Sequence, residues 1–284
     1  MVVMSLTLAL VFASAGREAA AQTPTTGSSG DFLKNEGFAP PGTNDPNCRP
    51  DAEHPPIVLV HATYANMDIN FFKLAPALKE QGYCVYALNY GDNVGPLYAL
   101  GDIRDSAREL DTFVDNVLAH TGAGKVSIVG HSQGGMMPRY YIKNLGGAEK
   151  VEDLVGIVPS NHGTTVPERL VPGVPISVTI NGNTVGICEA ACDQQQAGSS
   201  FLRDLNSGDE TPGNVDYTVV ATRTDETVVP YTSSFLAGSP EQVTNITLQD
   251  YYPEDSSGHT RTIFDPNVYT FIFDALERNG PSSP

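Results

Sequence analysis

The sequence predicts an α/β protein with a mostly parallel central sheet and helices on both faces. Three observations predict it. Short apolar runs lack polar alternation, amphipathic stretches separate them, and one strand passes abruptly through a glycine-rich turn into a helix at Val126 to Leu145. A strand covered on both faces reads as continuously apolar, whereas a half-exposed one alternates. Strands that alternate with helices give βαβ units, and these make neighbouring strands parallel.

In chain order, Met1 to Ala15 is apolar and too short to span a bilayer. Ala19-Ala20-Ala21 supplies the small residues of a signal-peptidase site, with Ala13-Ser14-Ala15 as a competitor. Residues 1–21 are therefore read as a signal peptide, although no lysine or arginine precedes the run, and the protein as secreted. Residues 22–45 are read as a flexible segment, and 46–284 as a single domain without internal repeats.

Pro56 to Ala62 (PIVLVHA) reads as a buried strand. A helix is expected over Asn70 to Gly82, with Phe71, Leu74, Ala75 and Leu78 on one face, and a strand over Tyr83 to Tyr90. Asp102 to Gly122 is the clearest helix, its stripe running from Ile103 through Leu110 and Val114 to Leu118. Lys125 to Ser132 is a strand, followed by a helix, and Leu154 to Pro159 is another strand. Asn161 to Asp216 breaks the rhythm with Pro/Gly-rich connections, a possible hairpin over Ile176 to Ile187 and a short helix near Phe201 to Leu205. Strands at Tyr217 to Thr222 and Asn245 to Leu248 and a helix at Pro266 to Arg278 complete the chain.

Composition narrows the function classes. The chain is 40% hydrophobic and 17% charged, as in globular proteins, with a net charge of −17. That charge argues against nucleic-acid binding and against attraction to anionic membranes. No stretch suits an integral membrane anchor. Four cysteines fit an oxidising compartment. They allow three pairings. Cys188 with Cys192, and Cys48 with Cys84, is the preferred set, because the first two can close a small loop and the second two can pin the N-terminal segment to a strand. No spacing suggests zinc, and no ligand-spaced loop suggests calcium.

The chemistry is concentrated at Gly130-His131-Ser132-Gln133-Gly134. In a strand–turn–helix context, G-x-S-x-G lifts the serine hydroxyl clear of the sheet edge in strained dihedrals. A serine needs a base, and the base needs a carboxylate to fix its tautomer. In this context the order along the chain is nucleophile, acid, histidine. Asp225 follows the strand Tyr217 to Thr222, with Glu226 and Asp250 as rivals. His259 is the single histidine of six that lies downstream of Asp225. For the oxyanion of an attacked ester, the N–H of Gln133 and an N–H from His61-Ala62-Thr63-Tyr64 are the candidate donors. Thr63 is preferred, and its hydroxyl is a third.

The stretches LVHATYANMDINFF, GYCVYALNYG, VSIVGHSQGGMMPRYY and ATRTDETVVPY and the late Gly258-His259 resemble the α/β-hydrolase superfamily and, within it, the secreted bacterial class 2 triacylglycerol lipases. The resemblance runs over nearly the whole chain from about Asn44. It implies an α/β-hydrolase fold with a small insertion after the sixth core strand. It also implies a triad of Ser132, Asp225 and His259, and an oxyanion hole at Thr63 and Gln133. One departure is Ala62, where such lipases usually carry glycine.

The expected activity is a serine ester hydrolase, a lipase or carboxylesterase, that works through an acyl-enzyme. A polyester-hydrolysing esterase, an acyltransferase and a non-catalytic binding module are the alternatives. Tyr64, His131, Met136 and Val228 are candidate substrate-binding residues, and Leu97, Tyr98 and Leu100 lie near the predicted mouth. No cofactor or metal is needed, the partner is an ester or lipid substrate, and a monomer is expected.

Overall fold

The expected alternation of strand and helix is realised in the computed structural model, which describes residues 39–51, 54–166, 177–180, 183–186 and 188–284. The signal peptide expected at 1–21 lies outside the described residues, as does most of the segment 22–45. The end of that segment is ordered. Thr43 bridges to Val85, and the Asn44 side chain donates to the Ala87 carbonyl and accepts from the Ala87 N–H, satisfying an edge strand that would otherwise expose both groups.

Strand β1 (Ile57–Val60) opens the sheet, and helices α1 (Met67–Phe71) and α2 (Leu74–Glu80) follow. One helix was expected here. Asn66 caps α1 by accepting from the Ile69 N–H, which starts the helix earlier. Pro76 has no N–H to offer the Phe72 carbonyl, and the helix breaks there. Strand β2 (Val85–Leu88) and helix α3 (Ile103–Thr121) come next. Asp102 caps α3 at its start, and Gly122 ends it in the left-handed conformation at φ 75°. Strand β3 (Val126–His131), helix α4 (Gln133–Asn144) and strand β4 (Val151–Ile157) form the centre.

The insertion holds an antiparallel hairpin, β5 (Ser177–Ile180) with β6 (Asn183–Gly186), then α5 (Glu189–Gln194) and α6 (Ser200–Leu205). Helix α5 was not expected. Strand β7 (Asp216–Ala221), strand β8 (Val243–Thr247), a single turn α7 (Leu248–Tyr251) and helix α8 (Pro266–Glu277) finish the chain. Asp265 caps α8, and Pro266 takes the first position, where a missing N–H costs nothing.

The six-stranded sheet has the order β2-β1-β3-β4-β7-β8, and every neighbouring pair is parallel. This is an α/β-hydrolase architecture. Among the described residues the insertion follows the fourth strand of the sheet rather than a sixth, and the two strands after it complete the six.

Side chains alternate between two cores. Val58, Val60, Tyr86, Leu88 and Ile128 pack with α3 and α4, while Ile57, Leu59, Val85, Ala87 and Val129 pack with α1, α2 and α8. Both faces are therefore dry. The insertion is tied down by two cations of α4. The buried Arg139 donates to the Asn206 side chain at 2.8 Å and to the Glu210 carbonyl, and Lys143 caps the Leu205 and Asp209 carbonyls, both at 2.9 Å. Two disulfides join Cys48 to Cys84 and Cys188 to Cys192, the preferred pairing.

Candidate active site

Parallel strands bring their carboxyl ends to one edge, and the loops beyond β1, β3, β7 and β8 meet there. Ser132 stands between β3 and α4 at φ 56°, ψ −121°, a region an L-residue enters only when its surroundings compel it. The compulsion is steric. A Cβ on Gly130 would lie 1.9 Å from the Gly134 carbonyl oxygen, and one on Gly134 would lie 2.0 Å from the Val60 carbonyl oxygen. Only glycine lets β3, α4 and β1 approach this closely, and the turn follows from that approach.

The structure brings the three predicted side chains together. The Ser132 hydroxyl and His259 Nε2 are 2.9 Å apart, and His259 Nδ1 lies 2.9 Å from Asp225 Oδ2. A carboxylate only accepts, so Nδ1 carries the proton and Nε2 presents a lone pair to the serine hydroxyl. Asp225 Oδ1 accepts from the Thr227 and Val228 N–H groups, both at 2.8 Å, in the tight turn after β7. Those bonds hold the carboxylate in place. All three groups are buried, Ser132 at 4% exposure and His259 at 3%.

Two braces hold the histidine loop. Glu226 accepts from the His259 N–H at 3.0 Å, and a Cβ on Gly258 would meet that carboxylate at 2.4 Å. His131 donates from Nε2 to the His259 carbonyl at 3.0 Å. Burial, followed by the nearby His259, pushes the His131 imidazole down to about 3, so it is neutral and serves as a donor, not a base. Burial likewise pushes His61 down to about 4, and its ring stacks on Tyr90 at 4.4 Å. Of the rival acids, Asp250 turns away to pair with Arg223 on the surface, and Glu226 has the bracing role just described.

The loop after β1 leaves an N–H free beside the turn that carries Ser132. Ala62 N–H donates to Asn70, Tyr64 N–H to the Tyr98 carbonyl and Ala65 N–H to the Ala62 carbonyl, which leaves that of Thr63 without an acceptor among the described residues. The Gln133 N–H opens α4 and has no partner within the helix. Alanine at 62 is accommodated, because the left-handed residue of this loop is Tyr64 at φ 59°.

The apolar residues expected to bind substrate or to lie near the mouth are placed differently from one another. Met136 and Val228 are fully buried, Met136 in the core beneath α4 and Val228 behind Asp225, so neither offers surface to a substrate in this conformation. Tyr64 is 7% exposed, its hydroxyl 3.6 Å from Cys192 Sγ, and Leu100 is buried, while Leu97 and Tyr98 are partly exposed. Sequence reasoning missed Glu226 as a brace, and it missed Gln195, whose side chain reaches Thr63 from the end of α5. Gln195 stands in no motif, and Glu226, although it lies inside ATRTDETVVPY and was a rival for the acid, carries no signal of a bracing role.

Comparisons with known proteins bear on the family and the fold. The family model described as Lipase (class 2) matches residues 54–271. A triacylglycerol lipase of Vibrio cholerae is 33% identical over 138 residues, 42% of this chain and 41% of that protein. One from Pseudarthrobacter phenanthrenivorans is 33% identical over 93 residues, 30% of this chain and 27% of that protein. The chain thus spans about two fifths or less of the length of the curated relatives it matches. Among solved structures, Aspergillus fumigatus lipase B superposes with a TM-score of 0.67 at 20% identity, covering 89% of this chain and 65% of that one. The mature form of Bacillus licheniformis lipase BlEst2 gives 0.58 at 18% identity, covering 81% and 94%. At these identities the structures testify to the fold.

Proposed function

Because the chain belongs to the class 2 lipase family, we propose that it is a carboxylic ester hydrolase, a lipase or carboxylesterase that cleaves acyl esters through an acyl-enzyme at Ser132. The observation that carries this reading is the unbroken relay from Ser132 Oγ through His259 to Asp225, with 2.9 Å at each step. His259 Nε2 takes the serine proton as Oγ attacks the ester carbonyl. Asp225 stabilises the imidazolium without itself taking the proton. The carbonyl oxygen becomes an oxyanion facing the N–H groups of Thr63 and Gln133, donors that need not reorganise when charge develops. Collapse expels the alcohol, which receives its proton from His259. Water then repeats the sequence on the acyl-serine and releases the acid. This chemistry uses only groups of the chain.

Secretion, with removal of residues 1–21, is part of the proposal. It is supported by the two disulfides, which persist where the surroundings are oxidising. Among the described residues no helix is long and apolar enough to cross a membrane. An acyl substrate is supported by Ile69 on α1 and Phe72 at its C-terminal cap, 54% and 46% exposed, in the segment that directly follows the Thr63 loop.

The test is Ser132→Ala, assayed on a p-nitrophenyl ester, together with labelling by a fluorophosphonate. Turnover falls to background and labelling disappears. Labelling elsewhere, or retained turnover, removes Ser132 as the nucleophile.

A further inference from the structure

We propose that Gln195, supplied by the insertion, is a positioning residue that turns the Thr63 hydroxyl into a third, fixed oxyanion donor, with Ser160 behind it. The inference rests on the ester-hydrolase reading and extends it to a residue outside every motif.

The argument begins with which end of each amide faces Thr63. Gln133 Nε2 donates to Thr63 Oγ1 at 2.9 Å and to the Ala99 carbonyl at 3.1 Å. Gln195 Nε2 donates to Thr63 Oγ1 at 3.0 Å and to the Ala191 carbonyl at 3.2 Å. Backbone carbonyls only accept, so both NH₂ ends are fixed by partners other than Thr63. Ser160 Oγ donates to Gln195 Oε1 at 2.8 Å and holds the other end of that amide. Thr63 Oγ1 therefore receives two donors.

A hydroxyl has two lone pairs and one proton. With both lone pairs engaged, the proton is confined to the remaining tetrahedral direction, and among the described residues it has no acceptor. Thr63 is 5% exposed, so water does not readily supply one. The residue sits in the loop packed against the first turn of α4, where a Cβ on Gly134 would touch the carbonyls of Val60 and His61. The nascent oxyanion forms beside that turn.

With Gln133 alone the hydroxyl could swing and present a lone pair to the oxyanion, which would repel it. The second amide removes that freedom. Gln195 is itself immobile. It is 0% exposed, its N–H donates to the Ala191 and Cys192 carbonyls at the end of α5, and its carbonyl accepts from the Thr164 N–H at 3.0 Å. Gln133 Oε1 is left buried and unpartnered. That cost is borne by a network in which two NH₂ groups serve one oxygen, Thr63 Oγ1.

The experiment is a double-mutant cycle on p-nitrophenyl butyrate with Thr63→Val and Gln195→Met, the latter close in volume and without a donor. Thr63→Val lowers kcat by about 100-fold and Gln195→Met by about 10-fold, each with little change in KM. In the Thr63→Val background, Gln195→Met costs nothing further. Multiplying losses, or a Thr63→Val variant with unchanged kcat, would overturn the proposal, because a merely structural role moves both backgrounds alike. Thermal melting establishes that each variant is folded. If Gln195→Met is not, Ser160→Ala carries the same cycle, with a smaller loss that likewise vanishes in the Thr63→Val background. Fluorophosphonate labelling of the unmodified protein separates the two layers. No labelling at Ser132 defeats the ester-hydrolase reading, while labelling with multiplying losses defeats this inference alone.

Discussion

At the carboxyl end of the sheet, Asp225 accepts two backbone N–H bonds at 2.8 Å and the His259 imidazole at 2.9 Å. At the amino end, Asp153 is buried too, at 6% exposure against 9% for Asp225, and receives the Ser127 hydroxyl at 2.6 Å. Burial pushes Asp153 up to about 7, helped by the charges of Asp216 and Glu152 and opposed by Ser127 and Lys125. One carboxyl is surrounded by donors and the other by a dry sheet and like charges. Burial alone therefore does not mark a working acid; the number and direction of donors do. A cavity of about 440 Å³ also lies at the amino end, lined by Pro50, Thr121, Lys125 and Glu152 among others. It holds none of the nucleophile–base pairs found at the opposite edge.

The sharpest way to break the comparison is Asp225→Asn. The amide keeps the shape, but it can present N–H to His259 Nδ1 and favour the wrong tautomer, and kcat falls by about 10³- to 10⁴-fold at neutral pH. Steady-state kinetics at neutral pH, with thermal melting to show that the variant is folded, would check it. Next comes Glu226→Ala, which removes the acceptor of the His259 N–H. The loop loosens without losing its base, so kcat drops by about 10-fold with KM unchanged.

The smallest effect on turnover is at the other end. Asp153→Asn leaves kcat untouched and changes stability instead. A carboxyl whose folded value is raised favours the native state when protonated, and it loses that contribution as pH rises from its ordinary 3.8 through about 7. The variant therefore matches the parent near pH 4 and is more stable by about 1–3 kcal/mol at pH 8, read from urea unfolding at both pH values. Equal stability at pH 8 would show that Asp153 is ionised at little cost and would erase the contrast.

What the sequence disclosed follows the same division. The buried strands, the capped helix α3 and the glycine-flanked Ser132 are local signals, because period, caps and steric need are written in neighbouring residues. Chain order singled out His259, and the place just past the strand Tyr217 to Thr222 favoured Asp225 over Glu226 and Asp250; the fold puts Asp225 and His259 within hydrogen-bond reach of one another. Gln195 and Glu226 gave no such signal. Each acts through a backbone or side-chain group far along the chain, 132 positions for Gln195 and Thr63 and 33 for Glu226 and His259. Met136 and Val228 were legible as apolar residues near Ser132 and Asp225, but which way an apolar side chain turns depends on what packs behind it. The break between α1 and α2 was hidden by apolar spacing that runs across it from Phe71 to Leu78, although Pro76 removes a backbone donor there.

Ser132 and His259 are separated by 127 positions, and the strand β8 that leads to the histidine is the last to join the sheet along the chain. The elbow depends on the earlier backbone of Val60 and can close as soon as β1, β3 and α4 have met. Without the later strands that elbow would be a shaped but unarmed nucleophile. Reactivity requires the loops after β7 and β8 that carry Asp225 and His259, so pairing those strands onto the sheet and arming the serine are one step.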